Sequence, residues 1–197
     1  MREALQHDSR PKDQVSPVAL TRGMLLGLIG GLLGTFAIDL TAVGTLLALG
    51  YSGDLSYYIA GYTAAGFFSG IGLNMTGSVL LGVAMRYLIG LGLGVVFGAT
   101  VSRVHALRAD TAKRVLFSLL YVAVISQPLL AAAPIIMQSW DATTTWQWFF
   151  TSFFIHMIYA VVLAAVVGYG LRADTRAKRR WFWSRPKLSS PESTVHQ

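Results

Sequence analysis

Residues 22–41 read RGMLLGLIGGLLGTFAIDLT, and this stretch decides the fold class of the chain. It belongs to a longer apolar run, about Gly23–Leu49, which exceeds the roughly 20 residues that an α-helix needs to cross about 30 Å of hydrocarbon. Comparable runs follow at about Met75–Val101, Val115–Met137 and Trp148–Leu171. The sequence therefore predicts an all-α polytopic membrane protein with four transmembrane helices in a bundle.

The composition of the 197 residues agrees with a membrane protein and excludes three other classes. Hydrophobic residues make up 54% of the chain and charged residues 13%, whereas a soluble domain carries about 25% charged residues. That balance excludes a soluble globular enzyme and a disordered chain. The chain has no cysteine, which excludes a disulfide-stapled secreted domain and a covalently attached c-type haem.

Basic residues lie on one side of the predicted helices. They occur before the first run, after the second and after the fourth, whereas the connections Gly50–Asn74 and Gln138–Gln147 contain no lysine or arginine. By the positive-inside rule, both termini are predicted to be cytoplasmic, in a bacterial inner membrane. The net charge of +7 is explained by basic residues that orient the helices and lie against anionic lipid headgroups, so it does not indicate nucleic-acid binding.

The chain divides into three predicted parts. Residues 1–17 form a flexible cytoplasmic N-terminus, residues 18–172 the four-helix transmembrane domain, and residues 173–197 a basic and aromatic cytoplasmic tail that is disordered toward its end. Residues 55–73 are apolar and aromatic, but if they crossed the membrane almost no chain would remain to turn before the next span. We therefore predict an outer interfacial or re-entrant helix here. In the tail, four residues suit an anionic lipid surface or a partner protein: Arg179, Arg180, Trp181 and Trp183.

Each predicted span carries one strongly polar residue, and the four residues are Asp39, Arg86, Gln127 and His156. Counted from the basic flank of its helix, each lies about 20–25 Å into the membrane, so all four are expected in one layer. A lone charge at this depth costs about 2.5–3.5 kcal/mol. We therefore expect Asp39 to pair with Arg86, and Gln127 and His156 to supply further hydrogen bonds.

Glycines at four-residue spacing run along the first two spans toward this layer. Small residues at this spacing let membrane helices approach closely. The spacing predicts that the first and second spans pack together and place Asp39 against Arg86. The expected packing residues are Gly23, Gly27 and Gly31 on the first span and Gly90, Gly94 and Gly98 on the second.

The polar layer allows several roles. It can fasten the helices together, or it can line a path for protons or ions. Gln127 precedes Pro128, so its amide can instead satisfy backbone groups that the proline frees. His156 can be a neutral hydrogen-bonding partner, a proton-handling group, or a ligand for haem or another pigment. The sequence requires no cofactor, predicts no metal site and contains no known catalytic motif.

The chain resembles small, uncharacterised bacterial four-helix inner-membrane proteins whose first helix is rich in glycine. The resemblance covers about residues 20–172 and is carried by Arg22-Gly23 through Gly34-Thr35 and by His156-Met157-Ile158-Tyr159. Those proteins often have a histidine early in the second helix, where this chain has Arg86. The resemblance implies the same four-span fold and brings no activity with it.

The expected function is therefore an accessory or structural subunit of a larger membrane complex or of a homo-oligomer. Its partners would be the lipid bilayer and other membrane subunits or a second copy of the chain. The alternative is a small transporter or channel component that moves protons or ions through Asp39, Arg86 and His156. A membrane-embedded redox or lipid-modifying enzyme is a third reading.

Overall fold

The computed structural model describes residues 17–137 and 140–183, with the side chains of residues 129, 130, 137 and 174–183 outside that description. Every regular element in the described ranges is an α-helix. The helices are α1 (Pro17–Ala48), α2 (Leu55–Gly70), α3 (Val79–Arg103), α4 (His105–Ala109), α5 (Thr111–Met137) and α6 (Ala142–Trp183).

Four of these helices, α1, α3, α5 and α6, are long and apolar enough to cross a membrane. This confirms the all-α class and the four predicted spanning helices. By contrast, α2 has 16 residues and is about 24 Å long, which is short of the hydrocarbon thickness of about 30 Å. The helical segment expected within residues 55–73 is therefore present, and it is too short to cross the hydrocarbon by itself.

The last helix is longer than its apolar run. α6 begins at Ala142, where the Asp141 carboxylate accepts a hydrogen bond of 2.7 Å from the Thr144 backbone N–H. An aspartate at this position stabilises a helix start because it satisfies one of the unpaired N–H groups. At the other end α6 continues to Trp183, so the first part of the predicted tail, residues 173–183, is helical. Residues 184–197 lie outside the described chain.

α1 packs against α3 and α6, α5 packs against α6, and α2 packs mainly on α3. Tyr121 of α5 also donates a hydrogen bond of 3.0 Å to the Leu93 carbonyl of α3. The fully buried side chains include Phe97 of α3 and Leu163 and Val167 of α6. The Ser118 hydroxyl of α5 also donates a hydrogen bond of 2.7 Å to the Ala160 carbonyl. Large aliphatic side chains such as Leu80 and Val124 point away from the helix contacts, as expected where lipid covers the surface.

Glycine backbones meet directly along the α1–α3 contact. A Cβ atom built on Gly27 would lie 2.0 Å from the Gly94 carbonyl oxygen, and one built on Gly98 would lie 2.0 Å from the Gly23 oxygen. Gly31 and Gly90 are similarly close, with 2.5 Å between the built Cβ of Gly31 and the Gly90 oxygen. The six glycines that the sequence singled out therefore face one another, and we call this contact the glycine seam.

The helix α2 approaches α3 equally closely. A Cβ on Gly61 would lie 1.9 Å from the Ser78 carbonyl oxygen, and a Cβ on Gly82 would lie 1.9 Å from the Tyr57 oxygen. Atoms at such distances overlap, so glycine is the residue that this crossing accepts. Through this contact the first turn of α2 is held beside the first turns of α3.

Candidate functional site

Asp39 of α1 and Arg86 of α3 meet at one end of the glycine seam. Arg86 Nη1 donates a hydrogen bond of 2.8 Å to Asp39 Oδ1, and the two side chains are 17% and 8% exposed, respectively. Thr35, one turn before Asp39, directs its hydroxyl to the Gly31 carbonyl at 2.8 Å and packs against Gly90. The four-residue spacing thus brings the two charges together because the backbones between them are in contact.

The first turn of α2 completes the surroundings of the guanidinium. Arg86 Nη1 donates to the Ser56 hydroxyl at 3.4 Å, and Nη2 donates to the Ser56 carbonyl at 3.4 Å. The Tyr57 ring lies under the guanidinium, with its centroid 4.8 Å from Cζ, a distance typical of a cation–π contact. Burial and the neighbouring Asp39 carboxylate raise the pKa of Tyr57 to about 12, so its hydroxyl stays protonated at neutral pH.

The second carboxylate oxygen of Asp39 is less well satisfied. Oδ2 is buried and accepts no hydrogen bond of normal geometry from the described residues. A buried carboxylate oxygen without a hydrogen-bond donor is unfavourable. The Tyr57 and Tyr87 side chains also lie within interaction range of the Asp39 carboxylate.

His156 of α6 does not join the ion pair through a hydrogen bond among the described residues. Its Nδ1 lies 2.6 Å from the Ser152 carbonyl oxygen, one turn earlier in the same helix. Because a carbonyl can only accept, Nδ1 carries a proton and donates it to this hydrogen bond. The other ring nitrogen, Nε2, makes no hydrogen bond to the described residues. Arg86 is within electrostatic range of the ring. His156 is thus a neighbour of the pair that keeps one ring nitrogen available.

The expected hydrogen bonds from Gln127 and His156 to the ion pair are not found in the described chain; Ser56 and Tyr57 take that place. The Gln127 amide is buried, and neither its oxygen nor its nitrogen has a partner there. The guanidinium donates instead to Ser56 in the first turn of α2, which the close approach of α2 and α3 at Gly61 and Gly82 brings within reach. Depth alone did not show which neighbour would be nearest.

Two residues that the sequence analysis did not single out fasten α6. The Tyr159 hydroxyl donates a hydrogen bond of 2.5 Å to the Gly90 carbonyl, and its ring fills the space left by Gly34. Arg114, expected in the basic flank of α5, is 2% exposed and donates to the Ala164 carbonyl at 3.2 Å. Tyr159 packs against Gly34 and Arg114 packs against Gly168. These glycines are the sequence signal that accompanies the two buried side chains.

The side chains of the four predicted tail residues lie outside the described part of the structure. The backbone of α6 is helical through these residues. These residues are Arg179, Arg180, Trp181 and Trp183.

The functional conclusion rests on the geometry of the site. No protein-family model, curated protein or solved structure matches this chain. Within the described ranges, no group of three or more histidine, aspartate or glutamate side chains is arranged to hold a metal ion. The site contains an ion pair between buried Asp39 and half-buried Arg86, a histidine within electrostatic range of that arginine, and a carboxylate oxygen that accepts no hydrogen bond of normal geometry from the described residues.

Proposed function

We propose that the protein is a structural or accessory subunit of a larger membrane complex or homo-oligomer in a bacterial inner membrane. The four spanning helices form a bundle with both termini cytoplasmic, and Asp39–Arg86 is an intramembrane ion pair that fixes the bundle. The observation that carries the proposal is that this pair joins α1 to α3 and, through Ser56 and Tyr57, to α2. An ion pair that joins helices in this arrangement holds them together.

The energetics of the pair support a fastening role. Each charge alone at the middle of a membrane costs about 2.5–3.5 kcal/mol, and a paired, hydrogen-bonded arrangement removes most of that cost. The glycine seam then fixes the register of α1 and α3, because close backbone approach favours small residues at the contact. Together they give a rigid α1–α2–α3 unit.

An aromatic face of α6 supports contact with another subunit. Trp146, Phe150 and Phe154 follow one another at four-residue spacing and are all exposed. The Trp146 and Phe150 rings stack on each other with centroids 5.6 Å apart. A neighbouring membrane helix or a second copy of the chain would cover this face, since aromatic residues are enriched where protein surfaces meet.

The position of α2 fits an interfacial helix on the outer side. It contains no charged residue, and the exposed rings of Tyr58 and Tyr62 pack together at 4.3 Å. Tyrosines favour the headgroup level of the bilayer. There α2 would cover the outer end of the α1–α3 contact.

The topology is testable because the chain has no cysteine. Single cysteines replacing Asp141 and Lys113 are expected to behave oppositely with a membrane-impermeant maleimide. The first, before α6, is labelled in intact cells, and the second, in the first turn of α5, is labelled only after lysis. The reverse pattern would mean that both termini are outside.

Native mass spectrometry of protein extracted from its own membrane in mild detergent tests the subunit proposal. We expect one defined mass above that of the 21.3 kDa chain, either a multiple of it or a sum with a fixed partner. The Phe150→Ser variant should lose that mass, whereas Leu80→Ser, also exposed but on α3, should keep it. A monomer at all concentrations would contradict the proposal.

A second candidate, a proton or ion pathway, is favoured by two specific atoms. Asp39 Oδ2 is buried and accepts no hydrogen bond of normal geometry from the described residues, and Nε2 of His156 would accept a proton in the neutral form of the ring. If the pathway operates, Asp39→Asn abolishes flux in vesicles while the protein still accumulates. A haem or pigment bound by His156 would instead give a visible absorbance that His156→Ala removes.

A further inference from the structure

Arg114 is a buried positive charge whose hydrogen bonds all go to backbone carbonyls. It lies in the first turn of α5 and is 2% exposed. Its Nε donates to the Ala164 carbonyl at 3.2 Å, and its Nη1 donates to the Leu107 and Arg108 carbonyls at 3.1 and 3.4 Å. No carboxylate of the described residues lies within ion-pair distance of this guanidinium.

A second arginine increases the positive charge at this place. Arg172 of α6 lies within electrostatic range of Arg114 and donates a hydrogen bond to the Thr111 hydroxyl. The nearby Asp110 carboxylate caps α5 and accepts from the Ala112 N–H at 2.8 Å. Two like charges at this place repel each other. The Asp110 carboxylate offsets part of the charge on Arg114, and a bound anion would offset more of it.

The shape of α6 keeps the Arg114 guanidinium flat against the helix. A Cβ on Gly168 would lie 2.2 Å from Nη2 and 2.3 Å from Cζ, so the absence of a side chain creates the notch that holds it. Nη2 donates no hydrogen bond to the described residues, yet it is not among the side-chain atoms sealed from solvent. One edge of the guanidinium therefore keeps donors for a ligand.

We propose that Arg114 and Arg172 bind a phosphate group where α5 and α6 meet at the basic end of the helices. Phosphate oxygens are the acceptors that a planar guanidinium recognises best. Basic pockets between membrane helices at this depth bind lipid headgroups. The ligand chemistry is a phosphate anion, carried either by a membrane phospholipid or by free phosphate.

Lipid binding to the full chain, purified in detergent, tests the proposal. Native mass spectrometry compares retained phosphatidylglycerol with retained phosphatidylcholine, and a parallel thermal-shift series adds inorganic phosphate alone. Two variants address the site: Arg114→Gln removes the charge, and Gly168→Ala displaces the guanidinium while keeping the net charge. Two matched controls are Lys113→Gln, which removes the exposed neighbouring charge, and Gly92→Ala, whose added methyl meets open space.

The wild-type chain is expected to retain phosphatidylglycerol about tenfold better than either site variant, as loss of one charge-assisted hydrogen bond predicts. Both controls should equal wild type. If inorganic phosphate alone stabilises wild type and Lys113→Gln but not Gly168→Ala, free phosphate is the ligand; if only the lipid does so, the headgroup is. A wild-type chain with no preference for the anionic lipid and no response to phosphate overturns the proposal. Equal phosphate or anionic-lipid binding by wild type and Gly168→Ala also overturns it.

Discussion

Gly27→Ala is expected to destabilise the folded protein by about 3 kcal/mol, at the upper end of overpacking effects in protein cores. The added Cβ would lie 2.0 Å from the Gly94 carbonyl oxygen and 2.8 Å from the Gly94 carbonyl carbon. Backbone atoms cannot turn away as a side chain can, so α1 and α3 must separate along the seam. Thermal unfolding in detergent, followed by circular dichroism, measures the loss.

Gly44→Ala is the matched control, since it lies in the same helix and its Cβ would meet nothing within 4 Å. Alanine is favoured over glycine inside a helix by about 0.5–1 kcal/mol, so this variant should be unchanged or slightly stabilised. The two substitutions are chemically identical and differ only in position. Equal melting temperatures for both would show that α1 and α3 are not in backbone contact.

Asp39→Ala is expected to cost about 3 kcal/mol, the lower end of the range for buried pairs, because it leaves the half-buried Arg86 guanidinium without its counter-ion. The double variant Asp39→Ala/Arg86→Met removes both charges and should recover about half of that loss, since methionine fills much of the same volume. Protein accumulation in the membrane and the melting temperature in detergent are the measurements. Similar losses in the single and double variants would count against a direct pair.

The contact between Asp39 of α1 and Arg86 of α3 could be predicted because the depth of the two residues and the spacing of the glycines indicate the same pairing. Asp39 and Arg86 each stand 17 residues from a basic flank, Arg22 or Arg103, so they lie at equal depth in antiparallel neighbours. Glycines at four-residue spacing then point to the contact, and Gly27 and Gly94 do touch. Depth and spacing are properties of a helix that one sequence reveals.

The contribution of α2 could not be predicted in the same way. Ser56 and Tyr57 lie in a connection where neither charge nor hydropathy fixes which helix they contact. Their place beside Arg86 follows from the crossing at Gly61 and Gly82. Those two glycines are 21 residues apart on different helices, and helical periodicity carries no information across such a break.

The buried position of Arg114 was missed for a related reason. It follows Lys113 and precedes an apolar run, and that pattern is typical of an exposed flank. Its burial depends on the notch at Gly168 and on the Ala164 carbonyl, 50 residues away. For His156 and Gln127 the sequence predicted the depth of each residue along its helix, but depth does not fix the direction in which a side chain points.

The 47 residues that separate Asp39 from Arg86 have a consequence for how the protein is made. At about 5–20 residues per second, the ribosome completes Asp39 several seconds before its cation exists. A first helix that inserts during that interval carries its aspartate without a counter-ion, at a cost of about 2.5–3.5 kcal/mol. Synthesis of α3 then supplies the guanidinium that offsets this cost.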